Sequence, residues 1–141
     1  MNINGMNALS SDGGEKDEKF WNNAVRLVEQ RLGLIASNIA NADTPNYKAR
    51  DIDLSSALKQ AMTNSKLPVL SKGYATVPRD LPVEALVLYR SPTQPSADGN
   101  TVDVDQESAA FSHEAIRYQF FLDKAVGEYK EIGDLYKNMV G

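Results

Sequence analysis

The residues of this chain that could carry chemistry are few. Histidine occurs once, at His113, and cysteine does not occur. The lack of thiols removes a disulfide framework, a thiolate metal site and a thiol nucleophile. Two acidic pairs, Asp51 with Asp53 and Asp103 with Asp105, are spaced i, i+2. On a helix such residues do not share a face, so each pair reads as a helix-start or loop feature. The run DGNTVDVDQE (98–107) opens like a calcium loop, but its fifth position is Val102 and its sixth is Asp103. An EF-hand needs an oxygen ligand and then Gly at those places. There is no Gly-rich phosphate loop and no Ser/His/Asp set at a supporting spacing. A lone His near a helix start reads as a surface residue. The expectation is a protein with no catalytic residues, no cofactor and no metal.

The whole-chain properties agree with a non-enzymatic reading. At 141 residues the chain is long enough for one modest domain. Its 15 basic and 19 acidic residues give a net charge of −4, which argues against a nucleic-acid binder. No apolar run approaches the roughly 18 residues that span a bilayer, so no membrane insertion is expected. The opening MNINGMNALSSDGGEKDEKF lacks a basic region followed by an apolar one, so it does not read as a cleaved secretory signal. Residues 1–16 read as a disordered polar tail.

Two long helices must position whatever function exists. Trp21, Val25, Val28, Leu32, Ile35, Ile39 and Ala42 alternate at spacings of four and three, an apolar heptad seam. Phe20, Leu27 and Leu34 form a second row on its flank. This helix is predicted over residues 17–43. A second seam runs through Phe111, Ala115, Tyr118, Leu122, Ala125, Tyr129, Ile132, Tyr136 and Met139. It predicts a helix over 103–141, starting near Asp103–Glu107, where acidic side chains suit a helix N-terminus. The fold class is therefore mainly α. The terminal helices would form a coiled-coil-like pair, parallel or antiparallel, with an ordinary helical-bundle core as the alternative.

Residues 44–102 read differently. LSSALKQAM (54–62) can form one short helix, and PVEALVLYR (82–90) is the one strand-like run. Pro68, Pro78, Pro82, Pro92 and Pro95, with Gly73 and Gly99, punctuate the rest. The expectation is a turn, a short helix and a long, partly extended or irregular Pro-rich insertion that buries little.

The junction SNIANADTPNYKAR (37–50) is unusually polar for a stretch that follows LVEQRLGLIA. Thr44 precedes Pro45, which pushes it out of the helical region and ends the helix near Ala42 or Asp43. Pro45-Asn46 suits the centre of a type II turn, because Asn tolerates positive φ. Asn38 and Asn41 lie side by side in the last turn, where their amides can bond free carbonyls or reach a neighbour. Tyr47 offers a ring and a hydroxyl just beyond. Either this is a well-terminated helix and nothing more, or the corner also contacts another subunit. On the second helix, Ile116 and Phe120 fall roughly opposite the seam, and burial of such groups is worth about 1.5–3 kcal/mol each. Another chain is expected to cover them.

SNIANADTPNYKARDIDL (37–54) resembles the N-terminal signature of flagellar rod and hook proteins, a helix ending in Asn-x-x-Asn that runs into Thr-Pro-Gly-Tyr. YRSPTQPSADGNTVDVDQE (89–107) is similar to the segment before the last helix in the proximal-rod branch of that family. The family's Gly after Pro is Asn46 here. The resemblance covers about residues 20–141. It implies a structural subunit of the bacterial flagellar basal-body rod, located in the periplasmic space. It would assemble helically through its terminal helices and transmit rotation passively, as flagellum assembly and motility require. The implied partners are copies of itself, other rod proteins, the MS-ring protein FliF and the adaptor FliE. Delivery would be by the flagellar type III export apparatus. The assembly contacts would include Asn38, Asn41, Thr44, Pro45, Asn46, Tyr47, Ile116 and Phe120. A soluble helical secretion chaperone or adaptor is the rival reading, and it would be a stable folded dimer by itself.

Overall fold

The computed structural model describes residues 7–66, 87–92, 94 and 96–140. These residues form three helices and one two-stranded sheet: α1 (Asn7–Ala40), β1 (Arg50–Ile52), α2 (Leu54–Lys66), β2 (Val87–Tyr89) and α3 (Val104–Val140). The fold is mainly helical. The expected course of 67–86, including Pro68, Gly73, Pro78 and Pro82, lies outside the described residues. So do Pro95, Gly141 and the side chain of Ile132.

α1 and α3 run antiparallel along each other. Asn22 meets Tyr129, Glu29 meets Tyr118, Arg31 meets Glu114 and Asn38 meets Glu107, so partner numbers fall along α3 as they rise along α1. At about 1.5 Å per residue, both helices are on the order of 50 Å long. The end of α1 and the start of α3 therefore meet at one corner, and the start of α1 and the end of α3 lie toward the far end.

The helix bounds differ from expectation at the N-terminus. α1 begins at Asn7 rather than near Asp17, so residues 7–16 of the expected disordered tail are helical. Extending an existing helix adds one hydrogen bond per residue without a new nucleus, which lets a polar stretch follow the helix behind it. At the other end, α1 stops at Ala40 and a turn follows. α3 starts at Val104 with Asp103 as its cap, its Oδ1 accepting from Gln106 N at 3.1 Å. Asp53 caps α2 in the same way, accepting from Ser56 N at 3.0 Å and Ser56 Oγ at 2.7 Å. One member of each acidic pair thus marks a helix start.

The buried faces are rotated from the expected seams. On α1 the fully buried side chains are Ala24, Leu27, Val28, Ile35 and Asn38, while Trp21, Val25, Leu32 and Ile39 are only half-buried. The reason is that α1 packs against two partners, α3 on one side and α2 with β1 on the other. A seam chosen for one partner misses the second. Leu27 and Val28 form the core with Ile52, Leu54 and Ala57, and Leu32, Leu34, Leu58, Tyr118 and Phe121 close around it. The first part of the middle region, expected to bury little, is therefore part of the core. On α3 the buried residues are Glu107, Glu114 and Ala125. Of the expected seam, Tyr118 and Leu122 are half-buried, and Phe111, Tyr129, Tyr136 and Met139 are exposed.

β1 and β2 pair antiparallel, with Arg50 opposite Tyr89, Asp51 opposite Leu88 and Ile52 opposite Val87. Arg90 N donates to Ala49 O at 2.9 Å and extends the ladder. The strand falls inside the one run whose composition suggested it. Its antiparallel pairing with 50–52 does not show in the sequence, because three-residue strands carry almost no periodicity.

Candidate functional site: the helix corner and its ion network

The corner is built from two segments far apart in sequence. α1 ends in a turn in which Tyr47 N donates to Thr44 O at 3.2 Å, with Asn46 at φ 61°. That positive φ is the value a type II turn requires at this position, and Asn adopts it more readily than most residues. Asn41 Nδ2 donates to Ser37 O at 2.8 Å, a second bond to a carbonyl that already accepts from Asn41 N at 3.1 Å.

Carbonyls of the turn that follows α1 accept from the segment 96–102. Asn100, which is buried, donates from Nδ2 to Asn41 O at 2.9 Å, Ala42 O at 2.9 Å and Thr44 O at 2.8 Å. Asn46 N donates to Asp98 O at 2.9 Å, and Thr101 N donates to Tyr47 O at 3.0 Å. Ala49 N donates to Thr101 Oγ1 at 2.8 Å, and Lys48 Nζ donates to Gly99 O at 2.5 Å. The DGN run that opens like a calcium loop spends its side-chain oxygens on hydrogen bonds within its own segment. Asp98 accepts from Ser96 Oγ and from Asn100 N, bonds that hold its carboxyl below the usual carboxylate range. Asn100 Oδ1 accepts from Val102 N at 2.8 Å. Among the described residues, no group of His, Cys, Asp and Glu is arranged to hold a metal ion.

Gly99 has φ 73°, and a Cβ there would stand 2.6 Å from Asn46 Oδ1. The Asn46 side chain thus fits over Gly99 because that residue has none.

Asn38 seals the outer edge of β1. Its Nδ2 donates to Arg50 O at 2.8 Å and its Oδ1 accepts from Arg50 N at 3.0 Å, so the side-chain amide binds one peptide unit as a neighbouring strand would. The same amide reaches Glu107 Oε2 at 3.2 Å and accepts from Tyr47 OH at 3.3 Å. Tyr47 OH also lies 3.2 Å from Ser37 Oγ. The two asparagines of the motif do different work: Asn38 joins three elements, and Asn41 closes its own helix.

Beneath the corner runs a network of ions. Arg31 binds Asp51 through Nε at 2.9 Å and Nη2 at 3.1 Å, and binds Glu114 through Nη1 at 2.6 Å. Arg90 binds Asp51 Oδ2 at 2.6 Å and also pairs with Glu107 Oε1. Arg117 adds a contact to Glu114 at 3.2 Å. Burial pushes the Asp51 carboxyl up, but the hydrogen bonds from Arg31 and Arg90 outweigh it and hold the group below the usual range. The Asp51 hydrogen bond raises the Arg31 guanidinium above its ordinary value, against desolvation. No buried side-chain nitrogen or oxygen among the described residues lacks a partner. A network this complete fixes the geometry of four elements at once. It can bind and position; it presents no open reactive group.

The far half of the helix pair is different in kind. Trp21 makes an edge contact with Phe120, ring centroids 6.3 Å apart, and a tilted contact with Phe121 at 5.9 Å. Phe20 meets Trp21 edge to face, ring centroids 4.9 Å apart. Phe120 is thus not on the far side of α3 as expected. It lies on the flank, with one edge against α1 and Lys124 Nζ 5.7 Å from its ring. Ile116 is 74% exposed. Beyond Ala125, Tyr129, Leu135, Tyr136, Met139 and Val140 are all exposed, Met139 by 84%.

Of the expected contact residues, Asn38, Asn41, Thr44, Pro45, Asn46 and Tyr47 come together at the corner. Ile116 and Phe120 lie away from it, along α3. Sequence reading missed Arg31, Asp51, Arg90, Glu107, Glu114 and Asn100. The available signal was Glu107 and Glu114, spaced seven apart in line with Phe121 and so inside a heptad row.

This arrangement defines a helical structural module: two long antiparallel helices, locked at one corner, with apolar side chains exposed toward the other end. Comparison with known proteins agrees. The family model described as "Flagella basal body rod protein" matches residues 24–48, the stretch from the core of α1 through the corner turn. The flagellar basal body rod protein FlgB of Escherichia coli (strain K12) is 40% identical over 119 residues, covering 79% of this chain and 86% of the relative. FlgB of Yersinia enterocolitica is 40% identical, covering 79% and 87%. FlgB of Salmonella typhimurium is 41% identical over 111 residues, covering 74% and 80%. The chain belongs to the FlgB family of flagellar basal-body rod proteins, a structural family rather than an enzyme family. Among the described residues, no helix is long and apolar enough to cross a membrane.

Proposed function

We propose that the chain is a structural subunit of the proximal rod, built into a helical polymer through the far ends of α1 and α3. The observation that carries this reading is the exposed apolar row on the last part of α3, Tyr129, Tyr136 and Met139. These residues continue the seam pattern of the helix pair, yet all three are exposed, Tyr129 even with its hydroxyl bonded to Asn22 of α1. Monomeric proteins seldom expose so much contiguous apolar side chain on one element. In the rod, helices of neighbouring subunits would cover this row in a coiled-coil-like packing. Ile116 and the free edge of Phe120 would meet another neighbour. The corner turn, Thr44–Tyr47, would be a second contact, since Thr44, Pro45 and Asn46 stand at the surface.

The partners would be copies of the chain, other rod proteins, the MS-ring protein FliF and the adaptor FliE. Delivery would be by the flagellar type III apparatus. Rotation would pass through the subunit as a rigid link, and flagellum assembly and motility would depend on it. A labelled chain imaged in purified basal bodies tests the reading. Label is expected at the base of the rod. Label absent from the rod, or normal rods and swimming in a strain that lacks the chain, would overturn it.

A further inference from the structure

The antiparallel pair of β1 and β2 joins the α1–α3 contact through charge at the corner and through Ile52 in the shared core. Glu107 and Glu114 stand on the face of α3 that packs on α1, in line with Phe121, and both are fully buried. A carboxylate buried there without a cationic partner is strongly unfavourable. α1 alone cannot satisfy the pair. It offers the Asn38 amide to Glu107 and the Arg31 guanidinium to Glu114. The cation that binds Glu107 is Arg90, directly after β2. The group that orients Arg31 is Asp51 of β1, which holds it at two nitrogens.

We propose that the β1–β2 pair is a latch. Docking of Asp51 and Arg90 is the condition for α1 and α3 to pair at the corner, whereas the half around Trp21, Phe120 and Phe121 pairs without it. The charged groups that meet there are Arg31 from α1, Asp51 from β1, Arg90 after β2, and Glu107, Glu114 and Arg117 from α3, with His113 Nδ1 at 3.5 Å from Glu114. Three carboxylates face three guanidiniums; without the strand pair two of each remain, but both remaining guanidiniums pair with Glu114 and neither pairs with Glu107. Undocking leaves Glu107 without a cation and Arg31 without its clamp, so the corner opens as a unit while the aromatic half stays closed.

Hydrogen exchange read by mass spectrometry on the full-length chain in solution tests this, independently of rod assembly. The variants are Arg90→Met, Glu107→Met and the two combined. Arg90→Met is expected to lower protection over 101–116 and 31–42 by about a hundredfold or more. Protection over 118–126 and 19–28 should stay within about threefold of wild type. The double variant removes the charge that demands a partner, so it should recover corner protection to within about tenfold of wild type. Three results overturn the latch: an unchanged corner in Arg90→Met; loss spread evenly along both helices, complete unfolding included; or a double variant no better protected than Arg90→Met. A wild-type chain unprotected at 101–116 overturns it as well.

Discussion

The two halves of the helix pair solve the same packing problem with opposite chemistry. At the corner, α1 and α3 meet through Asn38, Arg31, Glu107 and Glu114, and every buried side-chain nitrogen and oxygen among the described residues has a partner within the chain. Toward the termini they meet through Trp21, Phe120 and Phe121, and beyond those α3 leaves Tyr136 67% exposed. Polar networks are directional and tolerate only one arrangement. Apolar surface is non-directional and accepts any complementary face. The corner is thus suited to fixing the shape of a single subunit. The far end is suited to joining subunits whose faces are supplied from outside.

The largest expected effect falls on the corner. Glu114→Ala leaves Arg31 and Arg117 short of a carboxylate and should cost about 3–5 kcal/mol. A urea titration followed by circular dichroism measures it. A cost under about 1 kcal/mol would mean that the network is hydrated and does not define the fold.

Next comes the shared core. Leu27→Ala removes a buried side chain where α1, α2 and β1 converge, and should cost about 2–4 kcal/mol. The matching change at the far end, Met139→Ala, should shift single-chain stability by less than about 0.5 kcal/mol while reducing incorporation into rods. Equal losses in stability at the two positions would erase the contrast between the halves.

Acid should act on the corner first. The folded Asp51 carboxyl is held below its ordinary value, about 3.9 for an unfolded chain. Its contribution is therefore complete above that ordinary range and is lost as pH falls through the lower folded value. Urea midpoints measured from pH 7 down to pH 3 should decline, and Asp51→Asn should flatten the decline. An unchanged slope in Asp51→Asn would assign acid sensitivity to other carboxylates.

The smallest stability effect is expected at Pro45→Ala. The turn is already held by Asn100, and the loss should stay within about 1 kcal/mol. Rod incorporation should fall more than stability does, because the exposed turn would lose its fixed shape. Normal rods would make the turn a plain helix end.

The pattern of the chain revealed some of this and hid the rest for physical reasons. The seam through Val28 and Ile35 identified α1 as a packed helix, and Pro45-Asn46 identified the turn with its positive φ. The face that α1 buries was misjudged, because periodicity reports that a helix has an apolar side and not how many partners share it. Glu107 and Glu114 escaped because an acidic residue in a heptad row reads as solvent-facing. Only the approach of Arg90 and Arg31 from distant segments makes such a residue a core position. Asn100 escaped likewise: nothing local tells a turn asparagine from one that caps a helix more than fifty residues upstream.

Hydrogen exchange compared between the isolated chain and the chain within purified rods tests the division of labour most directly. Residues 31–54 and 100–116 should be protected in both states. Residues 129–140 should exchange freely in the isolated chain and slowly in the rod. Strong protection of 129–140 in the isolated chain, or free exchange there within the rod, would contradict the account.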